Sequence, residues 1–391
     1  MRICFVVQRY GLEINGGAEL HCRWVAEHMS KYWEVEVLTT QAYDYVTWKN
    51  HYPETETVIN GIPVRRFPVT RPRNPEVFGR LQDYIIENEH REEDEFAWLE
   101  EEGPLSPALI DAVKAEQGRF DYFIFFSYRY YHSFHGIRAV PGKSILVPTA
   151  EHDPVIHFRI FKDLFRMPRA FVYNSCEERA MIQGLSRNEA VPGDVVGVGT
   201  EVPASSDGAR FRAKFGIGGP YVIYVGRIDE NKGCHKLFEY FLRFKNETGS
   251  PAQLVLVGST ILPIPDHADV RHLGFLSEQD KFDGIDGAEV LMMPSFYESL
   301  SMVTLEAWAM GKPVLANAAC EVLQGQCRRS NGGFYYENYE EFREALRLLL
   351  TDPALRAAMG RNGRAYFSAN YAWDVIENKY LAIVAGLERR P

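Results

Sequence analysis

At 391 residues and 44.8 kDa the chain exceeds what one hydrophobic core comfortably supports, and it suits two domains of roughly 150–200 residues each. A formal charge of -10 and a pI near 5.7 exclude general binding to nucleic acid or to an anionic membrane surface through bulk charge. Its six cysteines contain no Cys-x2-Cys pair, which speaks for free thiols in a reducing, cytoplasmic setting.

The apolar run in Met1-Arg-Ile-Cys-Phe-Val-Val is too short for a signal peptide and reads as a first strand over 3–7. No stretch approaches ~20 uninterrupted apolar residues, so no membrane span is expected, and membrane contact would be peripheral. After the first strand comes Gly16-Gly17, where paired glycines at the turn into a helix allow a ligand to approach the backbone. That helical pattern runs to about Lys31. Strands are expected over 35–39 and 63–69, the second with exposed arginines.

Residues 87–102 hold nine acidic residues and one arginine. Without oxygen-ligand spacing, Glu93-Asp94-Glu95 predicts a solvated helical face and no metal site, inside a helical segment over 71–118. A strand over 121–126 precedes Ser127-Tyr-Arg-Tyr-Tyr-His-Ser-Phe-His. Wound as a helix, that stretch sets Tyr128, Tyr131, His132 and His135 on one face, for packing or acceptor contact. Strands over 144–149, 170–174 and 195–198 complete the first half, with a helix from about Cys176 to Gly184. His152 follows the 144–149 strand.

A turn-rich stretch over 197–208 reads as an interdomain linker. Beyond it, a strand over 221–225 enters Gly226-Arg227-Ile-Asp-Glu-Asn-Lys232-Gly233, and strands over 254–257 and 270–275 follow. Val290–Met293 and Pro313–Ala316 are apolar runs of buried parallel strands. Between them Met302, Leu305, Ala309 and Met310 repeat at helical spacing, with Ser299 or Ser301 to cap the start and Gly311 to stop the helix. The free N–H groups of such a helix, around Ser301, Met302 and Val303, favour an anion. Glu298 and Glu306 flank that position and can accept hydrogen bonds from vicinal diols. Arg227 and Lys232 can neutralise charge on a departing phosphate. Asn331-Gly-Gly-Phe-Tyr-Tyr suggests a loop and edge strand, and helices are expected over 339–350, 353–367 and 371–387.

The Glu298-x7-Glu306 element, followed by Ala-Trp-Ala-Met-Gly-Lys-Pro-Val and joined by Arg227 and Lys232, resembles the family 4 glycosyltransferases. The resemblance implies an α/β GT-B fold of two doubly wound Rossmann-like domains facing a central cleft. These would be an acceptor-side domain over 1–197, a donor domain over 198–370 and a helix over 371–391 returning to the first domain. It implies a retaining hexosyltransferase that uses a nucleotide diphosphate sugar, a uridine one, and a glycan or lipid-linked acceptor, with no nucleic acid partner. Carried over residue by residue, Arg227, Lys232, Glu298 and His152 serve catalysis. Gly16, Gly17, Gly226, Ser301, Met302, Val303 and Glu306 bind the donor, and Phe275 and Leu276 meet its base.

No Asp-x-Asp motif is present, so neither a metal nor a resident cofactor is expected. One departure is Glu298-Ser-Leu-Ser, where many members carry Phe-Gly after the first glutamate and one residue. Rival readings are an idle nucleotide-sugar-binding scaffold, a phosphorolytic or epimerising relative, and a nicotinamide oxidoreductase. The last lacks its fingerprint, since Gly197-Val-Gly199 has no third glycine and Gly216-Ile-Gly218-Gly219 precedes a strand.

Overall fold

The computed structural model describes residues 1–389, and its backbone packs as two compact units. The first takes residues 1–198 together with the chain from Ile376 onward, and the second spans Gly199–Val375.

The first unit carries β1 (Arg2–Val6), β2 (Glu34–Thr40), β3 (Glu56–Ile59), β4 (Ile62–Phe67), β5 (Tyr122–Phe126), β6 (Ser144–Val147), β7 (Ala170–Tyr173) and β8 (Gly193–Val195). They form one sheet in the order 3-4-2-1-5-6-7-8, parallel except for β3 against β4. Strands such as Ile3-Cys-Phe-Val and Phe123-Ile-Phe-Phe are buried along their length, as parallel strands covered on both faces must be. Helices α1 (Gly17–Met29), α2 (Pro75–Glu87), α3 (Glu92–Glu102), α4 (Pro107–Ala115), α5 (Tyr131–Ala139), α6 (Arg159–Leu164) and α7 (Cys176–Ser186) provide that cover.

The second unit holds β9 (Tyr221–Val225), β10 (Gln253–Val257), β11 (Val270–His272), β12 (Val290–Met293), β13 (Val314–Asn317) and β14 (Gly333–Tyr336) in an all-parallel sheet ordered 11-10-9-12-13-14. Its helices are α8 (Gly208–Phe215), α9 (Cys234–Thr248), α10 (Glu278–Gly287), α11 (Met302–Ala309), α12 (Glu321–Ser330), α13 (Tyr339–Thr351) and α14 (Pro353–Asn370). A last helix, α15 (Trp373–Glu388), starts in this unit and runs on into the first. Among the described residues no helix is long and apolar enough to cross a membrane. All six cysteines are free.

Three expectations need correction. The arginines of β4 are not exposed: Arg66 is 5% exposed beneath the Tyr52 ring, and Arg65 is ion-paired with Glu36 and Glu116. The acidic helix α3 is a solvated face only in part: Glu92, Glu93 and Glu100 are exposed, but Glu95 and Glu102 are buried beside Trp98 and Leu99. Tyr128 lies before α5 and does not share its face; it packs edge-on against Phe161 in the aromatic core. Among the described residues no three His, Cys, Asp or Glu side chains are grouped to hold an ion.

Glu377 of α15 is anchored in the first unit, where its carboxylate accepts from Lys31 Nζ and Tyr32 Oη at 2.8 and 2.7 Å and lies 2.8 Å from His28 Nδ1. Burial works to raise its pKa, but these three partners outweigh it and hold the carboxyl down at about 2, against an ordinary 4.5. A depressed folded-state pKa contributes stability that is complete above the unfolded value and is lost as pH falls through the folded one. We therefore expect Glu377→Gln to lower unfolding stability at pH 7 by about 2–3 kcal/mol, with the deficit shrinking from about pH 4.5 toward pH 2. Denaturant melts of both proteins across that range test this, and a deficit independent of pH would refute it.

Candidate donor site

In the second unit the strand order reverses between β9 and β12, and the loops leaving their carboxyl ends flank the crevice where such sheets bind ligands. The first loop, 226–233, brings Arg227 and Lys232, and the second, 294–301, brings Glu298 and the start of α11. The four elements expected to make the anion site therefore arise from the two loops at one switch point.

The close approach of these loops explains two glycines. Gly233 has φ 67°, and a Cβ there would overlap the carbonyl oxygen of Pro294. Gly258, with φ 134°, could not carry a Cβ without overlapping the Gly226 carbonyl oxygen. Lys232 Nζ donates to Glu298 Oε1 at 2.7 Å, which joins the loops through their functional ends. Asp229 organises the cations: one oxygen accepts from Lys232 N at 2.8 Å and the other from Arg227 Nε. It is 3% exposed, whereas the Arg227 side chain is 41% exposed.

Ser301 caps α11 with φ 71°, a left-handed conformation that costs a residue with a Cβ of order 1–3 kcal/mol, and its hydroxyl reaches Thr304. Within the helix's first turn the N–H groups have no intrahelical acceptor, so Met302 and Val303 present donors at its positive end.

Residues 207–366 match the family model for glycosyl transferases group 1. That match covers about two fifths of the chain. The chain is similar, at 31% identity over 147 residues, to a GDP-mannose-dependent phosphatidylinositol monomannoside mannosyltransferase of Corynebacterium glutamicum, covering 34% of this chain and 39% of that protein. The capsular polysaccharide biosynthesis glycosyltransferase CapM of Staphylococcus aureus is 27% identical over 177 residues, 40% of this chain and 44% of that protein. The chain thus spans about two fifths of the length of these curated relatives. In fold the likeness extends along the chain: sucrose-phosphate synthase from Thermosynechococcus elongatus matches over 100% of both chains with TM-score 0.73 at 18% identity. HepE of Anabaena, solved with UDP-glucose, covers 99% of this chain and 100% of its own with TM-score 0.70 at 18% identity. The fold is GT-B.

Within the matched stretch, Glu306 is 4% exposed on α11, and its Oε1 accepts from Lys281 Nζ at 2.8 Å. Lys281 stands in the first turns of α10, whose cap Ser277 directly follows Phe275 and Leu276. The strand before them stops at His272, short of the expected 275, and Phe275 is left 70% exposed in the loop. Lys281 and Asp229 escaped sequence reasoning. Asp229 stood in plain view between the two expected cations, two residues from Arg227 and three from Lys232.

The first unit places its own expected residues on comparable edges. Gly16 caps α1 beside the buried ion pair of Arg9 and Glu19, and a Cβ on Gly16 would overlap the Glu19 carboxylate. His152 is exposed in the loop after β6, its ring 5.7 Å from that of His157. Two carboxylates fix the loop around it. Glu178 accepts from Ala150 N at 2.6 Å and Asn174 N at 2.5 Å, and burial pushes its pKa up to about 8. Asp153 accepts from Arg129 at 2.9 Å, and Arg129 is itself held by Glu102 at 2.6 Å. The α5 histidine His132 turns inward to the Phe126 carbonyl, and burial lowers its pKa to about 4, so it serves packing.

Proposed function

We propose that this protein is a retaining glycosyltransferase that moves a sugar from a uridine diphosphate sugar to a glycan or lipid-linked acceptor on the cytoplasmic side, in peripheral contact with a membrane at most. The observation that carries the reading is the junction of Lys232, Glu298 and Arg227 at the amino end of α11, two cations and a helix terminus around a position suited to a diphosphate.

In the reaction the bond between the sugar C1 and the diphosphate oxygen breaks, and its electron pair stays on the phosphate. Arg227, Lys232 and the N–H groups of Met302 and Val303 stabilise that growing charge; being held in place beforehand, they need little reorganisation. The acceptor oxygen bonds to C1 from the same face, and its proton passes to the leaving phosphate oxygen. Glu298 orients the sugar, Glu306 takes the ribose diol, and the backbone around Phe275 and Leu276 takes the base. Gly16 and Gly17, at the start of α1, leave backbone open to a ligand of the first unit. Two protein cations and a helix end supply the charge that a divalent ion would otherwise bring, so EDTA is expected to leave turnover intact.

Thermal unfolding with UDP, GDP, ADP and NAD, each with and without EDTA, tests the donor class, because a ligand bound only by the native state raises its stability. At 100 Kd of ligand the stabilisation is about 2.7 kcal/mol. A shift with UDP that survives EDTA supports the reading, and one with GDP alone reassigns the base. A response only to NAD, or to none of them, overturns it. NMR of the product's anomeric coupling then decides retention.

A further inference from the structure

Glu306 presents a chemical difficulty that its proposed role requires the protein to solve. A diol is held best by a carboxylate anion, yet this one is 4% exposed inside the α11 helix, and burial pushes its pKa upward. Left alone in that position it would take up a proton, and the neutral acid would offer the ribose a weaker acceptor.

The charged groups facing it are few. Lys281 of α10 donates to Oε1 at 2.8 Å, with its own side chain only 14% exposed. The exposed Glu278, one turn earlier, also binds Lys281 at 2.8 Å and repels Glu306 weakly. From α14, which packs against α11, Arg364 bonds the Ala309 carbonyl at the far end of the helix. Burial works to strip the Lys281 ammonium of its proton, but the two carboxylates outweigh it and leave the lysine's pKa above its usual value. The cation is therefore secure, and the ion pair leaves Glu306 Oε2 to a ligand among the described residues.

We propose that Lys281 is a positioning residue for the donor nucleotide: it keeps Glu306 anionic and aimed at the ribose diol, and it locks that carboxylate to the helix whose first turn follows the base loop. This rests on the donor reading above and deepens it. Base and ribose recognition then belong to one rigid piece, because α10 begins immediately after Phe275 and Leu276 and is bonded to α11 through Lys281. Loosening the lysine disturbs how the nucleoside is read, while the cations that meet the phosphates, Arg227 and Lys232, stay in place.

The experiment compares binding of UDP with that of 2′,3′-dideoxy-UDP by calorimetry between pH 7 and pH 9, a window above the phosphate's own titration. Wild type should prefer UDP at least tenfold at every pH. Lys281→Met should lose that preference at pH 7 and regain it as pH rises and the unpartnered carboxyl ionises, while Lys281→Arg keeps it throughout. Glu306→Gln should lack the preference at all pH values.

Each failure points to a different part. Should Glu306→Gln discriminate like wild type, the ribose role of Glu306 falls, and this inference with it. With Glu306→Gln behaving as expected, an undiminished preference in Lys281→Met at pH 7, or a loss that higher pH does not repair in a folded variant, overturns the role of Lys281 alone. Lys281→Arg guards against misfolding of the methionine variant, since loss of preference in a folded arginine variant also refutes the proposal.

Discussion

Lys232→Ala and Arg227→Ala should each lower donor turnover by about 10²–10³-fold, measured as nucleoside diphosphate release, while the variants unfold close to the wild-type denaturant midpoint. The size follows from the step they assist. A charge that grows on the leaving oxygen is stabilised only by donors already in place, and a missing one costs transition-state energy that ground-state binding does not report. Stability should be largely spared because both side chains are partly open, 41% exposed at Arg227 and 28% at Lys232. Lys236→Ala, on the neighbouring turn and paired with Glu239, is the matched control and should turn over normally. Turnover within twofold of wild type in either loop variant would remove that cation from the mechanism.

The second large effect concerns stability. Glu102→Ala should destabilise the first unit by about 3 kcal/mol, because it takes a shared carboxylate from two guanidinium groups and leaves Arg129 with Asp153 and Arg73 with the Tyr45 carbonyl. Glu102 is 3% exposed and accepts from Arg129 at 2.6 Å and Arg73 at 3.2 Å, while the backbone carbonyl of the same residue accepts from the Trp48 indole at 2.7 Å. Arg129 lies over the Trp98 ring and Arg73 over Trp48 and Phe78, so neither can swing out to water without uncovering aromatic surface. Urea melts followed by tryptophan fluorescence would register the loss, and a change below 1 kcal/mol would mean that the cluster relaxes freely. Glu102→Gln, which keeps one acceptor oxygen, should fall between.

The parts of the molecule that were legible in the sequence share a physical cause. Buried parallel strands must be apolar on both faces, so Tyr221–Val225 and Val290–Met293 announce themselves. Loops at a switch point carry their chemistry in short, local spacing, as Arg227, Lys232 and Glu298 do. What escaped was pairing across distance. Lys281 lies 25 residues before Glu306, and nothing in either helix's period says that they meet. The buried face of α3 did leave a trace, since Glu95, Trp98, Leu99 and Glu102 recur at helical spacing; their abundance of charge disguised it. Likewise β3 was missed although Asn60-Gly61, a strong hairpin signal, joins it to β4, with both residues at positive φ.

The route of the backbone through the two units has a consequence for biosynthesis. The first unit is completed by α15, most of which is made only after Gly199–Val375 has been synthesised. Its closing contacts, such as Glu377 on Lys31, join residues 346 positions apart, whereas the second unit is continuous and can fold as soon as it is free. The nascent first unit must therefore wait, with the surface destined for Ile376, Tyr380 and Val384 uncovered, while its partner matures. In such a chain a premature stop just before α15 spares nearly all of the second unit, yet it harms the first, whose strands were translated well before the break.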